Sequence, residues 1–292
     1  CRGFFYLSHS AHCIVNMRLQ PTFASFFAFY NSAICFLHYF RYPLKRVFVK
    51  KIVLAALLLA NALVVSASHI VGGELYYDCL GGNVYRVTLK LYRDCYCTNC
   101  ADFGLTEYLS VFDANGNLYS QPGMPFPGRQ PLTQPIINPC MVEPDVCVEQ
   151  AVYTATVTLP PTPGGYDIVY QRCCRNDGVT NVPQDQGATY QVHVPDQAQA
   201  TCNNSPRFNN FPPMYLCVNA PLTFDHSATD PDGDQLVYSL CDPYSGGDPN
   251  CPDPSPNTNA ACPSVPPPPP YSAVFYNNPY SPTNFMNNPS GP

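Results

Sequence analysis

No tryptophan occurs among the 292 residues, and only 12% of them are charged. The missing indole rings weaken any sugar-stacking role, although 21 tyrosines offer other aromatic faces. Acidic residues are missing altogether from positions 1–67, and a helical pattern of useful length is missing from everything after them. The first absence sets the N-terminal stretch apart. The second excludes a helical core. A basic stripe is also lacking: the 68–292 portion has seven basic against twenty acidic residues, a net charge of −13, which argues against nucleic acid as a partner.

What the first 67 residues do contain reads as an export signal. Lys45, Arg46, Lys50 and Lys51 precede the apolar run IVLAALLLANALVV at 52–65, which ends at the small residues Ser66 and Ala67. A charged flank, a run too short to span a bilayer and a small-residue end together predict a secretory signal peptide over 45–67. Residues 1–44 read as an upstream extension, with a start near Val47 or Val49. The alternative is a membrane-anchored helix over the aromatic-rich stretch 22–40. Thirteen of the sixteen cysteines lie beyond the leader, and in an exported chain that density predicts disulfides. The candidates are Cys79, Cys95, Cys97, Cys100, Cys140, Cys147, Cys173, Cys174, Cys202, Cys217, Cys241, Cys251 and Cys262. Their odd number fits a free thiol, or a missing partner in a chain that continues past Pro292.

Period-2 alternation dominates the exported part. Tyr85, Val87, Leu89 and Leu91 alternate with Arg86, Thr88 and Lys90, after a turn at Gly81-Gly82-Asn83, which predicts a first β-hairpin within 68–95. A strand is predicted at 107–113, turning at Asn115-Gly116. A proline-rich connection at 122–139 leads to Cys140 and Cys147, spaced to close a small loop. Tyr153, Ala155, Val157 and Leu159 face one way and Thr154, Thr156 and Thr158 the other. After PPTPGG, Tyr166, Ile168 and Tyr170 resume the pattern, as expected of an antiparallel meander. Cys173 and Cys174 end that strand and are expected on opposite faces with different partners. A strand at 189–194, with Tyr190, Val192 and Val194 inward, closes a first domain over 68–200. A second unit, 203–292, shows alternation at Leu222 and Phe224 and at Leu236, Tyr238 and Leu240, with one further candidate strand at 271–276. So few strands leave it an incomplete sandwich.

Three constellations are candidates for chemistry. Ile70-Val71-Gly72-Gly73-Glu74 is like the activated end of a trypsin-type protease, but Ser10-Ala11-His12-Cys13 precedes it and no GDSGGP-type nucleophile follows, so the triad roles are unfilled. Cys95, Cys97 and Cys100, with Cys79, supply four thiolates for zinc, yet lack a double-knuckle spacing, and disulfides are preferred there. Asp230, Asp232 and Asp234, spaced around Gly233 with Asp225 as a weaker addition, can aim carboxylate oxygens at Ca²⁺. The bland alternative is a solvated turn. An EF-hand is excluded because its twelfth position is Cys241. His69, His193 and His226 show no nucleophile or metal partner in sequence.

The phrases SHIVGGELYYDCLGGNVYRVTLKLYRDC, GGYDIVYQRCCRN and PRFNNFPPMYLCVNAPLTFDHSATDPDGDQLVYSLCDPYSGG resemble large secreted surface proteins of gliding bacteria, the PKD-domain and gliding-motility-associated C-terminal-domain family exported by the type IX system. That resemblance implies tandem immunoglobulin-like, PKD-like or cadherin-like antiparallel β-sandwiches after a signal peptide, and a C-terminal sorting module. The sorting module, and the second half that usually follows DPDGDQLVYSL, do not occur in this sequence. The expectation is an all-β, non-enzymatic protein at the cell surface or secreted. It would act in adhesion or surface architecture, contact an extracellular protein or polysaccharide, and touch membrane only through its leader or sorting module. The rival is an accessory carbohydrate-binding portion of a larger secreted hydrolase.

Overall fold

Alternating side chains, a turn that only certain residues allow, and a shared apolar interior account for the architecture. The computed structural model describes residues 2–6, 14–16, 70–96, 102–133, 146–176, 178–183, 185–216, 223–239, 241–256 and 262–284. The expectations for residues 17–67, and for Cys97, Cys100, Cys140 and Cys217, lie outside them.

Near the N-terminus, β1 (Arg2–Tyr6) and β2 (Ile14–Asn16) form an antiparallel pair. Then follow β3 (Ile70–Gly81), β4 (Val84–Asp94), β5 (Thr106–Tyr108), β6 (Ser110–Asp113), β7 (Leu118–Ser120), β8 (Gly123–Pro125), β9 (Gln130–Leu132), β10 (Val148–Thr158), β11 (Tyr166–Arg172) and β12 (Ala188–Val194). The last three are short: β13 (Arg207–Phe208), β14 (Tyr215–Leu216), which pairs with β1, and β15 (Ala228–Thr229), which pairs with β13. No helix occurs among the described residues. Residues 67–292, together with 1–18, cluster as one unit.

The first hairpin forms as its sequence predicts. Gly82 and Asn83 turn at positive φ, 59° and 65°, where glycine pays no steric penalty and asparagine a small one. Tyr85, Val87, Leu89 and Leu91 are all buried. Fully burying one such leucine contributes about 1.5–3 kcal/mol, and a one-residue slip would turn all four to solvent, which is what fixes the register.

Two four-stranded antiparallel sheets, in the orders β3-β4-β10-β9 and β12-β11-β6-β7, share that interior. Tyr77, Leu89 and Tyr153 from the first meet Val111, Ile168, Tyr170 and Tyr190 from the second. The turn after β10 is therefore not a hairpin within a meander. β10 pairs with β4 along its whole length, whereas β11 pairs with β6 and β12, so 159–165 carries the chain from one sheet to the other. Alternation specifies which way a side chain faces, not which strand is its neighbour. Likewise 107–113 is two strands, β5 and β6, which change partner at Leu109, and the proline-rich connection contains β8 and β9.

Beyond Phe208 the described residues form no strand at 223–224, 236–239 or 271–276, and Leu222 and Leu240 lie outside them. Described residues 223–227 and 235–239 have no regular secondary structure, and of 271–276 only Ala273 bridges, to Tyr244. Other parts of 203–292, around Ser205 and Tyr244, lie against the two sheets. Ser205 N–H donates to the Tyr77 carbonyl, and Thr189 N–H donates to that of Tyr244. Val274 packs on Val179 and Val182. The crossing at Gly246 is close: a Cβ there would lie 2.7 Å from Gln171 Nε2. Gly246→Ala is expected to destabilise by about 1–3 kcal/mol, read as a fall in the denaturation midpoint at constant m-value.

Disulfides join Cys79 to Cys202, Cys95 to Cys147, Cys173 to Cys174 and Cys251 to Cys262. Two expectations are corrected. Cys147 pairs across β4 and β10 with Cys95, not with Cys140, because the Val148 to Asp94 register brings those positions together. Cys173 and Cys174 pair with each other, because β11 ends at Arg172 and the alternation of strand faces no longer separates them.

Candidate functional site

β3 and β12 each lie at one edge of their sheet, and they touch where Gly73 meets the Tyr190 ring: a Cβ on Gly73 would come within 2.9 Å of it. Beyond that contact lies a cleft of about 280 Å³. Leu75 and Val192 line it and also pack against the core, while residues 205–208 and 236–239 supply its opposite wall. Tyr238 is half exposed and its hydroxyl accepts from the Ala228 N–H at 2.8 Å, which pins the ring at the rim. Tyr238 comes from a segment read as a strand; here it serves as a wall.

The charged side chains of the cleft already have partners. The Arg207 guanidinium lies 3.9 Å from the Tyr76 ring centroid, donates to the Tyr77 carbonyl at 3.2 Å and pairs with Asp78. Glu74 accepts from the Tyr92 hydroxyl at 2.6 Å and from Lys90 at 3.4 Å. Burial and the neighbouring Glu74 carboxylate push the Tyr92 phenol far above its usual range. Gln191 and His193 both bond Asp167, at 3.0 and 3.1 Å. Burial opposes ionisation of Asp167, but these two bonds hold its carboxyl below the usual range, and the same contact raises His193.

At the acidic turn, one ligand oxygen from each of Asp230, Asp232 and Asp234 falls within 4.8 Å of the others. Asp225 is not in that group. Its carboxylate accepts from Ser227 and Asn210 instead. Asp230 Oδ1 accepts the backbone N–H groups of Asp232 and Asp234, at 2.8 and 3.2 Å, and both Asp232 oxygens accept from Asn204. Calcium takes six to eight oxygens, so three carboxylates make a partial shell, while the hydrogen bonds account for the turn without an ion. Zinc at Cys79 and Cys95 is overturned, because each sulfur is committed to a different disulfide.

A buried ionic cluster was not legible beforehand. Glu107 is fully buried on β5, where its oxygens accept from Arg172 Nη1 (2.6 Å), the Tyr170 hydroxyl (2.9 Å) and the Gly104 N–H (2.9 Å). Burial alone would depress Arg172, but Tyr170, Glu107 and Asp253 hold it charged, and burial drives Tyr170 well above its usual range. Asp253, brought in by the later segment, is pushed up to about 6 by burial and by Glu107, partly offset by Arg172. Because that folded value exceeds the unfolded one near 4, the stabilising effect is complete only below pH 4 and is lost as pH rises through 6. Asp253→Asn is therefore expected to match the parent at pH 4 and exceed it by roughly 2–3 kcal/mol at pH 8, measured by urea unfolding at both pH values. The only sequence signal for this cluster was a glutamate interrupting the apolar stretch before Val111.

No known family model matches the chain, and no curated protein or solved structure matches it.

Proposed function

We propose that the chain is an exported, non-enzymatic recognition module of the cell surface, built of immunoglobulin-like or PKD-like sheets and braced by disulfides. The observation that carries this reading is the cysteine pairing, above all Cys79 to Cys202, which ties β3 to the residues after β12. Such bonds persist in oxidising compartments, and a leader of the secretory pattern precedes them. The fully buried carboxylate of Glu107 is engaged by Arg172, Tyr170 and Gly104 inside the fold, which suits a structural role better than an acid–base one. The surface role follows the resemblance to secreted proteins of gliding bacteria. Expression in a Gram-negative host, followed by fractionation, thiol alkylation and peptide mapping, tests it. The expected product lies outside the cytoplasm, is cleaved near residue 67 and carries the 79–202 and 95–147 links. A reduced cytoplasmic product retaining 52–65 would overturn the reading.

A further inference from the structure

The cleft between β3 and β12 has a property that its side chains do not convey. Tyr77 N–H donates to Ser205 Oγ (3.1 Å) and its carbonyl accepts from the Ser205 N–H (3.0 Å), so both backbone groups of Tyr77 point away from β4. Backbone direction repeats every second residue of an antiparallel strand, which places the N–H and C=O of Leu75 on the same open edge. On β12 the Thr189 N–H donates outward to the Tyr244 carbonyl, and the same period turns the N–H and C=O of Gln191 outward. Leu75 and Gln191 both line the cleft. Two strand edges thus present backbone donors and acceptors to one space whose inner surface, at Leu75 and Val192, is apolar.

The chain itself shows what such edges take. Residues 204–207 lie along β3 on one side of the cleft, and residues 244–246 lie along β12. Both are stretches of polypeptide hydrogen-bonded to a strand edge. Charge selects further. Glu74 is matched by Lys90, and Asp78 by Arg86 and Arg207, whereas among the described residues no cation pairs with Asp230, Asp232 or Asp234, which lie one residue from the cleft wall through the Asp232 to Asn204 bonds. The −13 charge of residues 68–292 acts in the same direction. A saccharide would need convergent polar side chains, and the charged ones of the cleft, Glu74 and Arg207, are engaged within the protein.

Resting on the reading of the chain as an extracellular recognition module, we propose that this cleft captures an extended, basic peptide segment. The peptide backbone pairs with the edges at Leu75 and Gln191, an apolar side chain seats against Leu75 and Val192, and flanking Lys or Arg residues face the acidic turn. The occupant is a strand of another polypeptide, added for a short length between the segments that already cover the two edges.

The test uses the exported chain, uniformly ¹⁵N-labelled, and three probes: a capped heptapeptide of alternating Lys and Val, the same peptide with Glu for Lys, and cellohexaose. The Lys–Val peptide is expected to shift the amide signals of Leu75 and Gln191 at sub-millimolar concentration, and the Glu–Val peptide to bind at least tenfold more weakly. Gln191→Pro removes an edge N–H that faces away from the β11 ladder, a position where strands tolerate proline, and is expected to weaken binding at least tenfold. Should that variant unfold, Ala228→Arg, which narrows the cleft and adds opposing charge, is expected to do the same. The proposal is overturned if millimolar Lys–Val peptide moves neither amide, if a folded variant binds unchanged, or if cellohexaose alone shifts these signals. None of those outcomes alters the compartment or cysteine state, which are read separately.

Discussion

Arg172→Ala is expected to destabilise the protein by about 3–5 kcal/mol at pH 7, among the largest effects of any single side-chain change. Arg172 reaches Glu107, which has no exposed side-chain surface, and its removal strands a carboxylate beside Tyr170 and Asp253 in a poorly solvated interior. A double change, Glu107→Met with Arg172→Met, removes both charges while keeping apolar volume, and is expected to recover most of the loss. Urea unfolding of both singles and the double closes a thermodynamic cycle. A coupling near zero would mean that the pair is not joined as its 2.6 Å contact implies.

Removing the Cys79 to Cys202 link by a Cys79→Ala, Cys202→Ala double change is the second large effect. The enclosed segment has a sequence separation of 123. Chain entropy for a loop of that length amounts to about 4–5 kcal/mol, an upper value, since residual structure in the unfolded chain reduces it. The bond closes a region that hydrogen bonds also hold, since Asn204 Oδ1 accepts from the Cys79 N–H at 2.8 Å and Ser205 pairs with Tyr77. The variant is therefore expected to fold, with its denaturation midpoint lowered at nearly unchanged m-value and with residues 203–209 exchanging amide protons faster than β4. Equal protection in both places would remove the link from any role in holding the later segment.

Local chemistry was readable where one residue decides the outcome. The turn at Gly82-Asn83, the Asn115-Gly116 turn closed by Asp113 Oδ1, and the inward faces of β4, β10 and β12 all follow from residue type and period. Partner choice was not readable, since period 2 looks the same whichever sheet a strand joins; β11 and the split between β5 and β6 show this. Cysteine pairing depends on register, so Cys147 could be matched to Cys95 only once β10 lay against β4. The alternation at Leu236 and Tyr238 pointed to a strand, but there Val237 is 89% exposed and Tyr238 serves the cleft rim. An apolar period does not by itself supply the neighbouring strand that a ladder needs. Of the candidate site, the acidic turn was visible as spacing and the cleft was not, because it is made by strand edges more than a hundred residues apart in sequence.

Tension applied along the polypeptide meets the Cys79 to Cys202 bond before it reaches most of the fold. Pull entering through β3 passes across that covalent tie to the residues after β12, bypassing the stretch of separation 123 between them. The Cys95 to Cys147 bond, nested inside it with a separation of 52, keeps part of that stretch closed, so reduction of the outer bond alone releases roughly 240 Å of contour length to a tether.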